Sequence, residues 1–285
     1  MTLDKSVDLS GRTAFITGGS RGIGAAIARA FSDAGATVVL FAKSGSAHAT
    51  LPGTVYSVAE EIERAGGRAL AIPGDLRIDA DVESAIARTA EVFGGLDIVV
   101  NNAAAFDTTP TSKVSMKRYD LLQAINARGS FAVSRAAIPY LTQSPAGHIL
   151  SISPPLDLEP KWLGAHLAYT TSKYAVSLAT LGLAAELANS GVAANSLWPA
   201  TAVATEAIRS ILGEEVAEHK ARSVDIMADA ALAVVRRDPR TCSGNLFTDE
   251  QVLAAEGKTD LSEYSVGEGE LSRSFFVADS AEVSA

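Results

Sequence analysis

The sequence predicts an α/β fold: a doubly wound parallel sheet with helices on both faces. Three observations predict it. Apolar runs alternate with amphipathic segments from residue 13 onward, the order that builds parallel sheets through right-handed crossovers. The runs are continuously apolar, as strands covered on both faces are. The 285 residues are 47% hydrophobic but only 6% aromatic, an aliphatic composition that suits helices packed on a sheet and suffices to bury one core.

Element by element, Thr13-Ala14-Phe15-Ile16 reads as a buried strand and Ile23 to Ala34 as a helix closed by Gly35. Thr37 to Phe41 is the next strand, and Val58 to Ala65 a second helix ended by Gly66-Gly67. Ala69 to Pro73 is a short strand, Asp79 to Val92 a helix, and Leu96 to Val100 a fourth strand. His148 to Ile152 and Val192 to Leu197 are further strands, with long helices around Tyr119 to Tyr140 and Tyr169 to Ala188. Ser44 to Tyr56, rich in Gly, Ser, Ala and Thr, reads as a surface insertion. From Gly257 the chain is acidic, with a late apolar cluster at Phe275-Phe276-Val277. That tail is expected to be partly disordered or to pack against a neighbouring subunit. The expected organisation is one domain over 1–285, with a core of about 9–250 and an extension of about 251–285.

A net charge of −9 argues against sequence-independent nucleic-acid binding and against docking on anionic membranes. The single cysteine, Cys242, excludes an internal disulfide framework and a multi-cysteine metal site, so no metal is expected. Without an apolar leader or a membrane-spanning run, the expected location is cytoplasmic.

Thr17-Gly18-Gly19-Ser20-Arg21-Gly22-Ile23-Gly24 follows the first strand and opens the first helix. Glycines there permit a tight turn, backbone approach to a pyrophosphate and close helix–strand packing, while the helix N-terminus favours the phosphates. This context reads as a Rossmann dinucleotide site. At the end of the second strand, where an NAD site carries an acid for the ribose 2′-hydroxyl, stands Ala42, followed by Lys43. Lys43 and Arg21, with no carboxylate at position 42, make a site for a 2′-phosphate. The expected cofactor is NADP(H), with NAD(H) second.

These residues resemble the short-chain dehydrogenase/reductase family, whose glycine pattern Gly18, Gly22 and Gly24 follow. Asp75-Leu76, Asn101-Asn102-Ala103-Ala104, Asn126, Tyr169-Thr170-Thr171-Ser172-Lys173 and Trp198-Pro199-Ala200 come in the family's order, with Ala for Gly at 104 and 200. The likeness covers about Leu9 to Glu250. A narrower one, to the hydroxysteroid dehydrogenase-like group without its sterol-carrier domain, rests on Ile152 to Leu156, Leu197 to Ala202 and Gly244 to Glu250. The resemblance implies that Asp75 and Leu76 contact the adenine, and that Asn102, Ala103, Pro199 and Thr201 line the cofactor site beside Ser20 and Ile23. It also implies a homodimer or homotetramer, paired through the helices that hold Asn126 and Tyr169.

Tyr169 and Lys173, four apart, share one helix face. A nearby ammonium favours tyrosinate, so Lys173 is expected to lower the Tyr169 pKa and make it the acid/base partner of a hydride transfer. The resemblance adds that Lys173 holds the nicotinamide ribose and that Asn126 anchors a water linking Lys173 to solvent. The family's substrate-binding Ser falls on Pro154, which has no donor. Ser153 is the residue expected to serve instead, if the Pro154-Pro155 turn re-aims it. His166 reads as a loop histidine of no chemical role, or as an extra acid or substrate donor; His148 reads as structural. Leu156, Leu158, Trp162, Leu163 and Trp198 predict an apolar pocket for a hydrophobic alcohol, aldehyde or ketone of steroid, terpenoid or fatty-acyl type. The expected activity is therefore NADP(H)-dependent oxidoreduction of an apolar alcohol and its carbonyl compound. The alternative, motivated by Pro154, is a weakly active or non-catalytic NADP(H)-binding scaffold or sensor.

Overall fold

A computed structural model describes residues 8–46 and 53–277. The expected insertion Ser44–Tyr56 and the end of the expected extension lie partly outside these residues. The elements run β1 (Thr13–Thr17), α1 (Gly22–Asp33), β2 (Thr37–Ala42), α2 (Val55–Arg64), β3 (Arg68–Pro73), α3 (Asp79–Phe93) and β4 (Ile98–Asn101). There follow α4 (Met116–Leu122), a π-helical stretch Gln123–Gly129, α5 (Ser130–Leu141), β5 (His148–Ile152), α6 (Pro160–Ala165), α7 (Leu167–Glu186) and β6 (Ala193–Trp198). The last are α8 (Glu206–Leu212), α9 (Glu214–His219), α10 (Asp225–Val235), β7 (Leu246–Thr248) and α11 (Asp249–Ala255).

The seven strands form one sheet in the order β3-β2-β1-β4-β5-β6-β7, with every neighbouring pair parallel. This is the doubly wound Rossmann arrangement, with its switch point between β1 and β4, outside whose carboxyl ends ligands bind.

Strand alternation builds two cores. Ala14, Ile16, Val38, Leu40, Ile98, Val100, Leu150 and Leu197 face one side and pack with Ile27 and Phe31 of α1 and the Ala- and Val-rich α10. Their neighbours Phe15, Val39, Phe41, Val99, Ile149 and Ala194 face the other side and pack with Val82 and Ile86 of α3, Val133 and Ala137 of α5 and Leu183 of α7. Both faces are apolar because both are covered.

The structure refines several sequence expectations. The helix expected around Tyr119 to Tyr140 is α4, the π-helical stretch and α5 in succession. β7 was too short and too close to turn residues to show as an apolar run. α11 crosses the boundary expected at 250/251. The tail from Gly257, expected to be disordered or to lie on a neighbour, instead folds back within its own chain as far as residue 277. Ser274 N–H donates to Ala200 O (3.1 Å) and Ala202 N–H to Ser272 O (2.8 Å), so residues 272–274 form a strap beside the turn after β6. A hidden apolar surface explains the docking: Phe276 is buried among Trp162, Tyr174 and Trp198.

Candidate active site

The turn from β1 to α1 is shaped by glycine. Gly18 (φ +68°) and Gly22 (φ +55°) are left-handed, where a side chain is strained. A Cβ on Gly18 would also lie 2.8 Å from Asn102 Nδ2, and one on Gly24 2.5 Å from Gly18 O. Asn102 holds this turn. Its Nδ2 donates to Thr17 O (2.9 Å) and Gly18 O (3.3 Å), while the Asn102 and Ala103 N–H groups donate to Thr17 Oγ1 (3.0 and 3.1 Å). Asn102 and Ala103, expected at the cofactor, are thus bound to the loop that would receive it. The N-terminus of α1 has no side-chain cap. By contrast Thr54 caps α2 and Thr248 caps α11 through reciprocal capping boxes. An uncapped N-terminus behind a glycine turn, with Ser20 and Ile23 beside it, suits a phosphate group.

Arg21 Nη2 donates to Gly53 O (2.9 Å) and Ser44 Oγ (3.3 Å), which sets it next to Lys43 at the end of β2. The Lys43 side chain is 75% exposed, with Nζ 3.5 Å from Asp75 Oδ2. Asp75 is also gripped by Arg77, whose hydrogen bonds, then charge, hold its carboxyl well below the usual range. Arg21, Lys43 and Arg77 stand here against the carboxylates of Asp75 and of Asp81, which accepts the Asp75 N–H (2.9 Å), so cations outnumber carboxylates at this rim. Leu76 is buried beside it.

The other half of the site lies at the ends of β5 and β6. Tyr169 and Lys173 share one face of α7, each 3% exposed. Lys173 Nζ donates to Ile152 O (2.5 Å) at the end of β5 and sits 5.0 Å over the Trp198 ring at the end of β6. Burial pushes the Lys173 ammonium down to about 7. It pushes the Tyr169 phenol well above its ordinary value, which corrects the lowering expected from Lys173. The physical reason is geometric: the lysine is engaged with a carbonyl, and the phenol is packed against Phe106 (4.3 Å between ring centroids) and stacked on Phe276 (6.2 Å).

Asn126 lies in the π-helical stretch, a local irregularity common at functional sites. Its Nδ2 donates to Ala105 O and Ser172 Oγ (both 2.9 Å), and its Oδ1 accepts from Ala105 N–H (2.7 Å). Both amide donors are consumed, so the water expected at Asn126 would meet only acceptors there, the remaining lone pair of Oδ1 or a backbone carbonyl. Ser172 Oγ donates in turn to Tyr169 O (2.7 Å), tying Asn126 to the tyrosine's own turn. Pro154 offers only its carbonyl, which accepts from Ser177 Oγ (2.6 Å).

Among the described residues, several buried polar atoms have no hydrogen-bond partner: Ser153 Oγ, His166 Nε2, Thr201 Oγ1, Asn101 Oδ1 and Asp249 Oδ2. Ser153 and Thr201 were expected in the site, and an orphaned donor is what a missing ligand leaves behind. Asp249 was not expected. Its Oδ1 accepts from the N–H groups of Ala200 and Glu250 (2.8 Å each), and burial pushes its carboxyl up to about 6. It fixes the turn after Pro199, and its only sequence signal was its place in the Gly244–Glu250 run. His166 is not a solvated loop residue: it is 4% exposed and 6.0 Å from the Tyr169 ring. His148 is structural as expected, with Nε2 3.1 Å from Arg237 O. Leu158, expected in the pocket, is 70% exposed, while Leu156, Trp162 and Leu163 pack against the core. The backbone turns Leu158 outward just before α6.

The sequence profile of the family described as short chain dehydrogenase matches residues 12–215. Hydroxysteroid dehydrogenase-like protein 2 of Bos taurus is 45% identical over 261 residues, 92% of this chain. The match spans 62% of the bovine protein. The human protein of the same name is 44% identical, with the same two coverages. A crystal structure of a short chain dehydrogenase from Mycobacterium thermoresistibile superposes with a TM-score of 0.90 at 46% identity, covering 95% of this chain and 97% of that one. A short chain dehydrogenase from Burkholderia cenocepacia, solved in complex with NADP, superposes with a TM-score of 0.71 at 30% identity, covering 84% and 96%.

Proposed function

The chain belongs to the short-chain dehydrogenase family, and on that premise we propose that it is an NADP(H)-dependent oxidoreductase interconverting an apolar alcohol and its carbonyl compound. The observation that carries the reading is the pairing of Tyr169 and Lys173, both buried on one face of α7, with the Lys173 ammonium at the carboxyl ends of β5 and β6.

The glycine turn, the uncapped N-terminus of α1 and the unpartnered Thr201 Oγ1 fit a dinucleotide. Arg21 and Lys43 would receive a 2′-phosphate, and the NADP bound by the Burkholderia relative supports that choice. Asp75 and Leu76 would meet the adenine and Pro199 the nicotinamide. When bound, the nicotinamide supplies or accepts the hydride. In reduction, Tyr169 Oη gives its proton to the substrate oxygen, and its raised pKa keeps that proton in place until charge develops there. Lys173, close to half-protonated near pH 7, returns a proton towards Tyr169 and would hold the nicotinamide ribose. Asn126 positions the backbone turn of Tyr169 through Ser172. Ser153 takes the role of hydrogen-bond donor to the carbonyl. Phe106 and Phe276 against Tyr169, with Trp162, Trp198 and Phe275 against Phe276, favour an apolar substrate, with steroid, terpenoid and fatty-acyl carbonyls the classes to screen first.

The reading extends to a single cytoplasmic domain that assembles as a homodimer or homotetramer. Phe131 of α5 and Leu178 of α7 are exposed apolar residues on the helices expected to pair. An elution volume matching a monomer would remove the assembly part.

The deciding experiment follows NADPH oxidation with a panel of apolar ketones and aldehydes, for wild type and Tyr169→Phe. The expected result is turnover that falls by about 10²–10⁴-fold in the variant while NADPH still binds. NADPH binding without turnover of any carbonyl, in wild type and variant alike, would replace this reading with the scaffold or sensor.

A further inference from the structure

We propose that His166 is a further hydrogen-bond donor to the substrate oxygen, acting beside Tyr169 and Ser153. The inference rests on the reductase reading above and adds a residue to it.

The donor set is thin: position 154 carries no donor, its carbonyl is already engaged by Ser177, and Ser153 is left as the one hydroxyl assigned to the carbonyl beside Tyr169. His166 stands at the N-terminus of α7, and its carbonyl accepts the N–H groups of Tyr169 and Thr170 (3.0 Å each). Its backbone is thereby locked to that of the acid/base residue, and the two rings lie 6.0 Å apart. The His166 Nε2 is unpartnered, buried in a residue 96% covered. A buried imidazole nitrogen without a partner calls for a reason, and His148 shows the contrast, since its Nε2 meets a carbonyl.

His166 and Tyr169 share one aromatic cover. Phe275 packs edge-on to His166 (5.0 Å), and Phe276 contacts both His166 (5.8 Å) and Tyr169 (6.2 Å). Any displacement of these two phenylalanines that admits substrate to Tyr169 therefore uncovers His166 into the same space. Burial also lowers the His166 pKa, so the ring is neutral at pH 7 and keeps one N–H to donate.

Hydride from the reduced nicotinamide bonds to the carbonyl carbon, and the C=O π pair moves to oxygen, which gains a third lone pair. Tyr169 transfers its proton to that oxygen. His166 hydrogen-bonds the same oxygen and transfers nothing, stabilising charge as it develops. The products are the alcohol and the oxidised cofactor, and Tyr169 is reprotonated from solvent.

The test uses the full chain with cyclohexanone labelled with ¹³C at its carbonyl. Two readouts are taken for wild type, His166→Phe, His166→Gln and Tyr169→Phe: kcat/KM with NADPH, and the C=O stretch of the ketone bound in the presence of NADP⁺. His166→Phe keeps a ring in the aromatic cage, and an unchanged NADPH titration certifies its fold. The expected result is a fall in kcat/KM of about 10²-fold, partial recovery in His166→Gln, which restores an amide N–H, and a higher C=O frequency in His166→Phe. Activity within about threefold of wild type in His166→Phe, or an unmoved frequency, overturns the proposal. If His166→Phe is active while Tyr169→Phe is not, the donor falls and the reductase reading stands. If wild type turns nothing over but the frequency still depends on His166, the donor stands and the reductase reading falls. If cyclohexanone does not bind, both readouts are taken with the panel ketone that is turned over fastest; if no ketone of the panel binds or turns over, both readings fall.

Discussion

The two halves of the sheet's carboxyl edge are built in opposite ways. Around β1, β2 and β4 the site is made of backbone: left-handed glycines, an uncapped helix end, and one asparagine that holds the turn through main-chain carbonyls. Its charged groups stand at the rim, Lys43 most of all. Around β5, β6 and the strap, the site is made of side chains packed away from water. Tyr169, Lys173 and His166 are all buried there, and Ser153 and Thr201 keep polar atoms without partners. The first half is organised before anything binds, because its dipoles and N–H groups already point outward. The second stores unpaired and shifted groups beneath an aromatic cover, and reaches its chemistry only when that cover yields.

If that contrast holds, the largest response belongs to the buried lysine. Lys173 titrates near 7 in the folded chain against 10.5 unfolded. The unfolded chain therefore binds more protons between those values, and stability rises with pH across that window. At and below pH 7 the burial cost is felt in full. Lys173→Met removes it, so the variant should be more stable than wild type by several kcal/mol at pH 7. The advantage should shrink as pH rises towards 10.5. Parallel denaturant titrations of the cofactor-free proteins at pH 6, 8 and 10 measure it. A difference independent of pH would mean that Lys173 is not desolvated.

On the backbone side the corresponding experiment is Gly24→Ala. The added Cβ has no room between the Asn102 amide and the Gly18 carbonyl. Overpacking of this kind costs about 1–3 kcal/mol, so NADPH affinity should fall by up to about 10²-fold with little change in the ¹H resonances of the aromatic cluster. Unaltered binding by fluorescence titration would show that the turn is looser than its geometry implies. A smaller loss is expected at the rim. Lys43→Ala removes an exposed cation shared with Asp75, and NADPH should bind about tenfold more weakly while NADH is unaffected. Equal weakening of both cofactors would take Lys43 away from the 2′-phosphate.

The same division explains what the sequence revealed. β1, the glycine turn and the Tyr169–Lys173 pair depend on spacing within a few residues, and periodicity and turn chemistry report such spacing directly. The absence of an acid at Ala42 was legible for the same reason. The strap was not: Phe275-Phe276 showed as an apolar cluster, but its partners Trp162, His166 and Trp198 lie far away in the chain. The π-helical turn at Asn126 has no residue signature in Gln123–Gly129. The shift of Tyr169 was misjudged because local spacing predicts a neighbouring charge, whereas burial is a property of the whole packing.

The smallest expected effect bears on how the cover is held. Phe276 is the non-glycine residue found at positive φ among the described residues, at +66°. Its aromatic contacts must offset a backbone cost of about 1–2 kcal/mol. Truncating the ring to Ala loses those contacts and keeps the strain, while truncating it to Gly loses the same contacts and releases the strain. Exchanging Ala for Gly within regular structure normally destabilises by about 0.5–1 kcal/mol. Here the order should reverse, with Phe276→Gly melting about 2–4 °C above Phe276→Ala. The reversal requires that the strap stay docked in both variants, since a detached strap feels no constraint on φ. Equal melting temperatures, with Tyr169 exposed to solvent in both, would mean that the ring alone holds the cover shut. A higher melting temperature for Phe276→Gly means that the backbone path from Ser272 to Phe276 is held by its pairing with Ala200 and Ala202, and the cover then opens as a strand rather than as a side chain.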